Sequence, residues 1–296
     1  MTTQPFGVEV RDVRVRFGRH DAPALDNATL TIRPGTITGL LGRNGAGKTT
    51  LLSLVAALRR PTSGTVLVDG EDPFENPRTM AGVQIVREGG DVVAEERLSV
   101  TLDHYALMRE HWDADFAARL LDTFEISLRK KPEQLSRGKR SAFGAVLGLA
   151  SRAPLTIFDE VYIGMDAPSR YTFYDAVMAD YAEHPRTIVL SSHLIDEVER
   201  IFEDVVILDR GTVLLAESAD DVRTRGVTLT GPTAAVEAAV AGRRVLARQR
   251  LGGTVQATVL GALEDAEQAA LRAAGVEVGA VPIQDLFVHL TREEQS

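Results

Sequence analysis

The chain contains no cysteine, which excludes disulfides, thiolate metal centres and thiol nucleophiles and points to a reducing compartment. No run approaches the ~18 apolar residues that a membrane-crossing helix needs, and Met1 to Pro5 show no basic-then-apolar leader. Positive charge is in deficit: 33 Lys and Arg stand against 42 Asp and Glu, for a formal net charge of −9. That balance argues against nonspecific nucleic-acid binding, which draws on clustered cations. With 44% hydrophobic and 25% charged residues over 296 positions, the composition is that of an ordinary globular protein with one large domain, or a large and a small one. The expectation is a cytoplasmic protein that does not itself span a membrane.

What is present begins with Gly42-Arg43-Asn44-Gly45-Ala46-Gly47-Lys48-Thr49-Thr50, a match to G-x-x-x-x-G-K-[ST]. Before it, Ile37, Gly39, Leu40 and Leu41 read as a short buried strand. After it, Leu51, Leu52, Leu54, Val55 and Leu58 recur at helical spacing, ended by Arg59-Arg60-Pro61. A strand, a glycine loop and a helix N-terminus in that order make an anion site. Gly42, Gly45 and Gly47 let the backbone turn its N–H groups onto phosphate oxygens, and the helix dipole adds to them. Lys48 would reach the outer phosphates, and the Thr49 hydroxyl would ligate Mg²⁺. Farther on, the apolar run Leu155 to Phe158 ends in Asp159-Glu160. In a phosphate-loop ATPase such a strand end supplies the second half of the site. Asp159 would hold Mg²⁺ through water, and Glu160 would face the attacking water.

Around these motifs, Val8, Val10, Val13, Val15 and Phe17 alternate with polar residues as a half-exposed strand, and Ala28 to Ile32 form another. Thr65 to Val68 is a strand ending in the turn Asp69-Gly70, and Val83 to Val86 runs into the polar segment Arg87 to Asp91. From Val100 to about Leu128 the pattern turns helical. Leu102, Tyr105, Ala106 and Met108, then Phe116, Leu120, Leu121 and Phe124, form apolar faces, with Asp113 as an N-cap. Strands and helices then alternate to Leu208, which predicts an α/β core with a parallel sheet binding its ligand at the carboxyl ends of the strands. A composition shift near Thr224 to Gly226 opens a small module whose strand-helix-strand-strand-helix-strand order is ferredoxin-like. Its Leu286, Phe287 and Leu290 could form a contact face, with packing on their own sheet the favoured reading.

Leu135-Ser136-Arg137-Gly138-Lys139 opens a helix ahead of the acidic pair. Here the chain resembles the ATP-binding-cassette (ABC) family, whose signature is Leu-Ser-Gly-Gly-Gln. The family's landmarks follow in order across residues 8 to 215: phosphate loop, signature, acidic strand, Gly164-Met165-Asp166 resembling the D-loop, and Ser192-His193 resembling the switch histidine. The resemblance implies an α/β P-loop NTPase cassette over residues 1–224. It would have a parallel core sheet, an antiparallel β-subdomain and a helical subdomain at about 98–150, with the small C-terminal α+β module at 225–296.

The resemblance further implies a head-to-tail dimer, with itself or a homologous cassette, that sandwiches two ATPs. Ser136 and Gly138, with Arg137 and Lys139 between and beside them, would contact the γ-phosphate bound by the other subunit. His193 would sense that phosphate beside the base Glu160, Phe17 would stack on adenine, and Asp166 would cross the dimer interface. The chain also departs from the family. Arg137 and Lys139 replace Gly and Gln, and Val161-Tyr162 stands where Pro and a small polar residue are usual. The glutamine expected after the Val83 strand is missing. Glu88 is its best match and a tentative Mg²⁺ ligand, with Arg87 and Gln84 weaker. The leading expectation is the ATPase subunit of a bacterial exporter-type transporter, peripheral on the inner face of the membrane and docked on an integral membrane subunit, with no nucleic-acid partner. A soluble cassette ATPase and an ATP sensor are the alternatives.

Overall fold

The computed structural model describes residues 4–18, 21–89 and 95–293. Met1 to Thr3 of the N-terminal reading, and Gly90 and Asp91 of the polar segment, lie outside them. The chain divides into two compact units, the first comprising residues up to His193 plus Arg200–Ala216, the second Leu194–Glu199 plus residues from Glu217 onward.

In the first unit, β1 (Val8–Val15) pairs antiparallel with β2 (Leu25–Ile32). β3 (Ile37–Leu41) then leads through the glycine loop to α1 (Lys48–Val55), and β4 (Ser63–Val68) returns to the other edge of β1, giving a sheet in the order β2-β1-β4. The step from Val10 to Val13 breaks the two-residue period of β1. A register shift there, with Asp12 at φ 50, turns Val13 and Val15 back to the buried side.

The remaining elements of the core are α2 (Pro77–Gly82), β5 (Val83–Arg87), α3 (Leu98–Met108), α4 (Ala114–Thr123), α5 (Arg137–Ala150), β6 (Leu155–Asp159), α6 (Ala167–Glu183) and β7 (Thr187–Ser192). After α7 (Ile195–Val198), which belongs to the second unit, come β8 (Asp204–Asp209) and β9 (Thr212–Ser218). The main sheet runs β5-β6-β7-β3-β8-β9. Every pairing from β5 to β8 is parallel. β3, β6, β7 and β8 are buried along their whole length, as a sheet covered on both faces requires. The loops after β3, β6 and β7 therefore emerge together at the carboxyl edge.

The second unit continues through α8 (Ala219–Thr224), β10 (Gly226–Pro232), α9 (Thr233–Val240), β11 (Val245–Leu251), β12 (Thr254–Leu260), α10 (Asp265–Ala273), β13 (Glu277–Ala280) and α11 (Ile283–Glu293). Its sheet runs β11-β12-β10-β13 with all neighbours antiparallel. Leu229, Val236, Val255, Ala257, Val259 and Val276 form its core. Leu286 and Phe287 are buried, and Leu290 is half-buried.

Three expectations need correction. The helix after the glycine loop ends at Val55 rather than near Leu58. Ala57 takes φ 57, and Leu58 N–H donates to the Ser53 carbonyl at 2.9 Å, a left-handed C-terminal cap that leaves Leu58 55% exposed. The apolar face of α3 is not core. Only Leu98 and Thr101 are buried, Ala106 is exposed, and Leu107 and Met108 are 85% and 76% exposed. Periodicity reports which residues share a face but not whether anything covers it. Finally, α2, α8 and β9 were not anticipated. α2 is set by Asn76, whose side chain accepts from Arg78 N–H and Thr79 N–H ahead of Pro77 at the first turn.

Candidate nucleotide site

The glycine loop closes over a cavity of about 400 Å³ lined by Phe17, Ala24, Asn44 to Thr50 and Glu160. Gly47 sits at φ 105, and a Cβ there would lie 2.6 Å from the Ala24 carbonyl, so only glycine lets α1 start at this point. Lys48, the first residue of α1, is 5% exposed; its Nζ donates to the Gly42 carbonyl at 2.7 Å and the Arg43 carbonyl at 3.3 Å. Phe17 presents a ring that is 61% exposed at the cavity's other side, with the Arg59 guanidinium 4.2 Å from its centroid.

The acidic pair ends β6. Asp159 is buried and accepts from Ser191 Oγ at 2.5 Å, while the same Oγ accepts from Glu160 N–H at 3.0 Å. The parallel register that sets Asp159 opposite Ser191 makes this possible. Glu160 itself takes φ 52, a left-handed conformation that non-glycine residues rarely adopt. Its Oε1 lies 3.1 Å from Lys48 Nζ and 3.2 Å from His193 Nδ1. Loop cation, strand-end carboxylate and histidine thus meet at one oxygen.

The signature residues occupy the start of α5. Ser136 is the N-cap, accepting from Lys139 N–H at 3.2 Å. Gly138 approaches the Gly164 carbonyl so closely that a Cβ would lie 2.6 Å from it. Lys139 Nζ turns back to the Phe124 carbonyl and to Glu125, and Arg137 pairs with Glu88. Asp166 caps α6 by accepting from Ser169 N–H at 3.0 Å, and its hydrogen bonds with Ser169 hold its carboxyl below the usual carboxylate range. Gln84 is buried and donates to the Ile85 carbonyl. Phe17, Asn44 to Thr50 and Glu160 therefore share one cavity, with Gly42 and Arg43 reaching it through Lys48 and with Asp159 and His193 joined to its edge. Ser136 to Lys139, Asp166 and Glu88 do not line it. Ser191 and Tyr162 were not anticipated as site residues. The Ser-Ser-His order and the displaced Pro were the only signals available.

This geometry can bind a polyphosphate and activate water against it. A family model described as ABC transporter matches residues 25–162. The ABC transporter ATP-binding protein YtrB of Bacillus subtilis is 29% identical over 199 residues, 67% of this chain and 68% of its own length. The aliphatic sulfonates import ATP-binding protein SsuB 1 of Nocardia farcinica is 31% identical over 217 residues, 71% of this chain and 81% of its own. A solved ATP-binding subunit of an ABC transporter superposes with a TM-score of 0.64 at 26% identity, covering 73% of this chain and 91% of that one. With the phosphate loop, acidic strand end and histidine assembled as described, the chain belongs to the ABC transporter family as an ATP-binding and ATP-hydrolysing subunit.

Proposed function

We propose that hydrolysis runs through Glu160 as general base, with His193 holding that carboxylate on the attacking water. The meeting of Lys48, Glu160 and His193 at a single oxygen carries this reading. Water attacks the γ-phosphorus, its proton passes to Glu160, and the bond to the β–γ bridging oxygen breaks to release ADP. Residues Gly42 to Thr50 cradle the phosphates with backbone N–H groups, Lys48 offsets their charge, and Phe17 stacks on adenine. The donors at hand, the Thr49 hydroxyl and the Asp159 and Glu160 carboxylates, are hard oxygens that fit Mg²⁺. Thr49, and Asp159 through water, would hold it. Bound there, Mg²⁺ would neutralise charge developing on the phosphates.

Cassettes of this family dimerise and work with membrane subunits. In this chain Ser136, Arg137, Gly138 and Lys139 would meet the nucleotide of a second copy or a homologous cassette, with Asp166 at the same interface. Among the described residues no helix is long and apolar enough to cross a membrane, and the exposed Leu107 and Met108 beside Tyr105 and Trp112 fit docking on an integral membrane subunit. The chain would then work at the inner face of the membrane, in an exporter-type system. Its division would be a cassette to 224 and a ferredoxin-like module from 225, supported by the strand order β11-β12-β10-β13. Glu160→Gln is expected to accumulate an ATP-bound dimer by size-exclusion chromatography. Wild-type phosphate release from that variant would overturn the assignment of the base. Copurification with an integral membrane protein tests the partner.

A further inference from the structure

The β6–β7 ladder ends at the Asp159–Ser191 pair, so the backbone N–H groups of Glu160 and His193 lie beyond it and need other acceptors. Glu160 N–H is taken by Ser191 Oγ. His193 N–H donates to Tyr162 Oη at 3.2 Å, and that phenol donates to Ser192 Oγ at 2.9 Å. One hydroxyl acts as acceptor and donor at once, as a phenol can. Tyr162 and Ser192 are 2% and 0% exposed, so water does not compete for these bonds. The Tyr162 ring packs 6.3 Å from the Tyr174 ring and 6.4 Å from the His193 ring, centroid to centroid. Val161-Tyr162 is also where this chain departs from its family's pattern.

We propose that Tyr162 is a positioning residue for hydrolysis: its phenol clamps the backbone of His193 to the turn after the acidic pair, so that the imidazole stays on Glu160. Two hydroxyls, one on each side of the left-handed Glu160, thereby tie the ends of β6 and β7. Ser191 fixes the carboxylate residues and Tyr162 fixes the histidine. The inference rests on Glu160 and His193 acting as assigned above.

Tyr162→Phe removes the hydroxyl and keeps the ring. It is expected to lower kcat about tenfold, a part of the 10²–10⁴ that a positioned general base supplies, while KM for ATP and the ADP dissociation constant stay within about twofold. A double-mutant cycle with His193→Ala reads the route of the effect: Tyr162→Phe should cost nothing further once the imidazole is gone. Unchanged kcat in Tyr162→Phe, a matching loss of nucleotide affinity, or the same fold-loss in the His193→Ala background would each overturn the proposal. If Tyr162→Phe does not fold, Ser192→Ala, which removes the acceptor that turns the phenol's lone pair toward His193 N–H, enters the same cycle with the same outcomes. Glu160→Gln run in parallel separates the two levels. Abolished turnover there with full turnover in Tyr162→Phe would leave the base in place and remove only the clamp. Retained turnover in Glu160→Gln would remove the reading on which the clamp depends.

Discussion

Lys48 Nζ stands 3.1 Å from Glu160 Oε1, so the cation at the start of α1 and the carboxylate at the end of β6 neutralise each other across the cavity. Both groups are largely withdrawn from solvent, with side chains 5% and 19% exposed, which strengthens the attraction. On the roles proposed above, a triphosphate would draw Lys48 away from Glu160 and release the carboxylate to face water. Phosphate capture and activation of the proposed base would then be coupled through one ion pair.

That coupling separates binding from turnover. Glu160→Gln removes the charge opposite Lys48 and leaves it neutral acceptors only, so ATP affinity should rise severalfold while hydrolysis falls by about 10²–10⁴. Lys48→Ala should lose ATP affinity outright. Equilibrium titration with a fluorescent ATP analogue, alongside phosphate release, distinguishes the two.

Arg137 and Glu88, each a departure from the family's residues, pair with one another within the chain. Their side chains are 65% and 39% exposed, so breaking the pair should change stability by no more than about 1 kcal/mol. Turnover should respond more. Glu88→Gln removes a negative charge and releases Arg137 from its partner, and should raise steady-state hydrolysis about threefold, close to 0.7 kcal/mol in barrier. The gain should shrink in an Arg137→Gly background, as measured by a double-mutant cycle on phosphate release.

Asp180 on α6 carries a buried network. Its Oδ2 lies 2.6 Å from Arg186 Nη1, both side chains are 2% exposed, and its Oδ1 also meets Arg152, which reaches on to Asp113 at 3.0 Å. Burial pulls the Arg186 guanidinium below its ordinary range. Asp180→Ala would strand the Arg186 cation, while Arg152 keeps Asp113, and should cost about 3–5 kcal/mol, lowering the melting temperature by roughly 10 °C. Calorimetry or circular dichroism reads this directly. Replacing Asp180 and Arg186 together by Leu and Met should restore most of the loss.

Within the second unit, burial raises the carboxyl pKa of Glu199 above its ordinary value, even though Glu199 Oε2 accepts from Ile283 N–H at the start of α11 and Arg223 lies near. Asp196 is raised by burial and then by Asp285. A raised carboxyl binds its proton more tightly folded than unfolded. The associated stability is present below the ordinary value and is lost as pH rises through the raised one. Glu199→Gln should therefore melt higher than the parent at pH 7, and the difference should vanish toward about pH 4. Melting curves of the two proteins across that range test the sign.

Much of the site was legible in linear order. The glycine loop, the acidic strand end, the Asp113 cap and the helix and strand order around them are contiguous patterns, because each reports a local backbone requirement. The cap at Ala57 was not legible, since a left-handed alanine has no compositional signal. Nor was the exposure of Leu107 and Met108, because an apolar stripe does not reveal what covers it.

The sequence alone determined the chemistry available here: a glycine loop of phosphate-binding pattern, hydroxyl and carboxylate oxygens, a strand-end glutamate and a histidine, and no thiol. Only the tertiary structure decided how they act together. Lys48 with Glu160, Ser191 with Asp159, Tyr162 with His193, Arg137 with Glu88 and Asp180 with its arginines are each joined by strand register or close helix packing across long stretches of chain. No periodicity encodes such pairs. They exist because a parallel sheet brings the ends of separate strands to one edge, where short side chains can complete one another's hydrogen bonds.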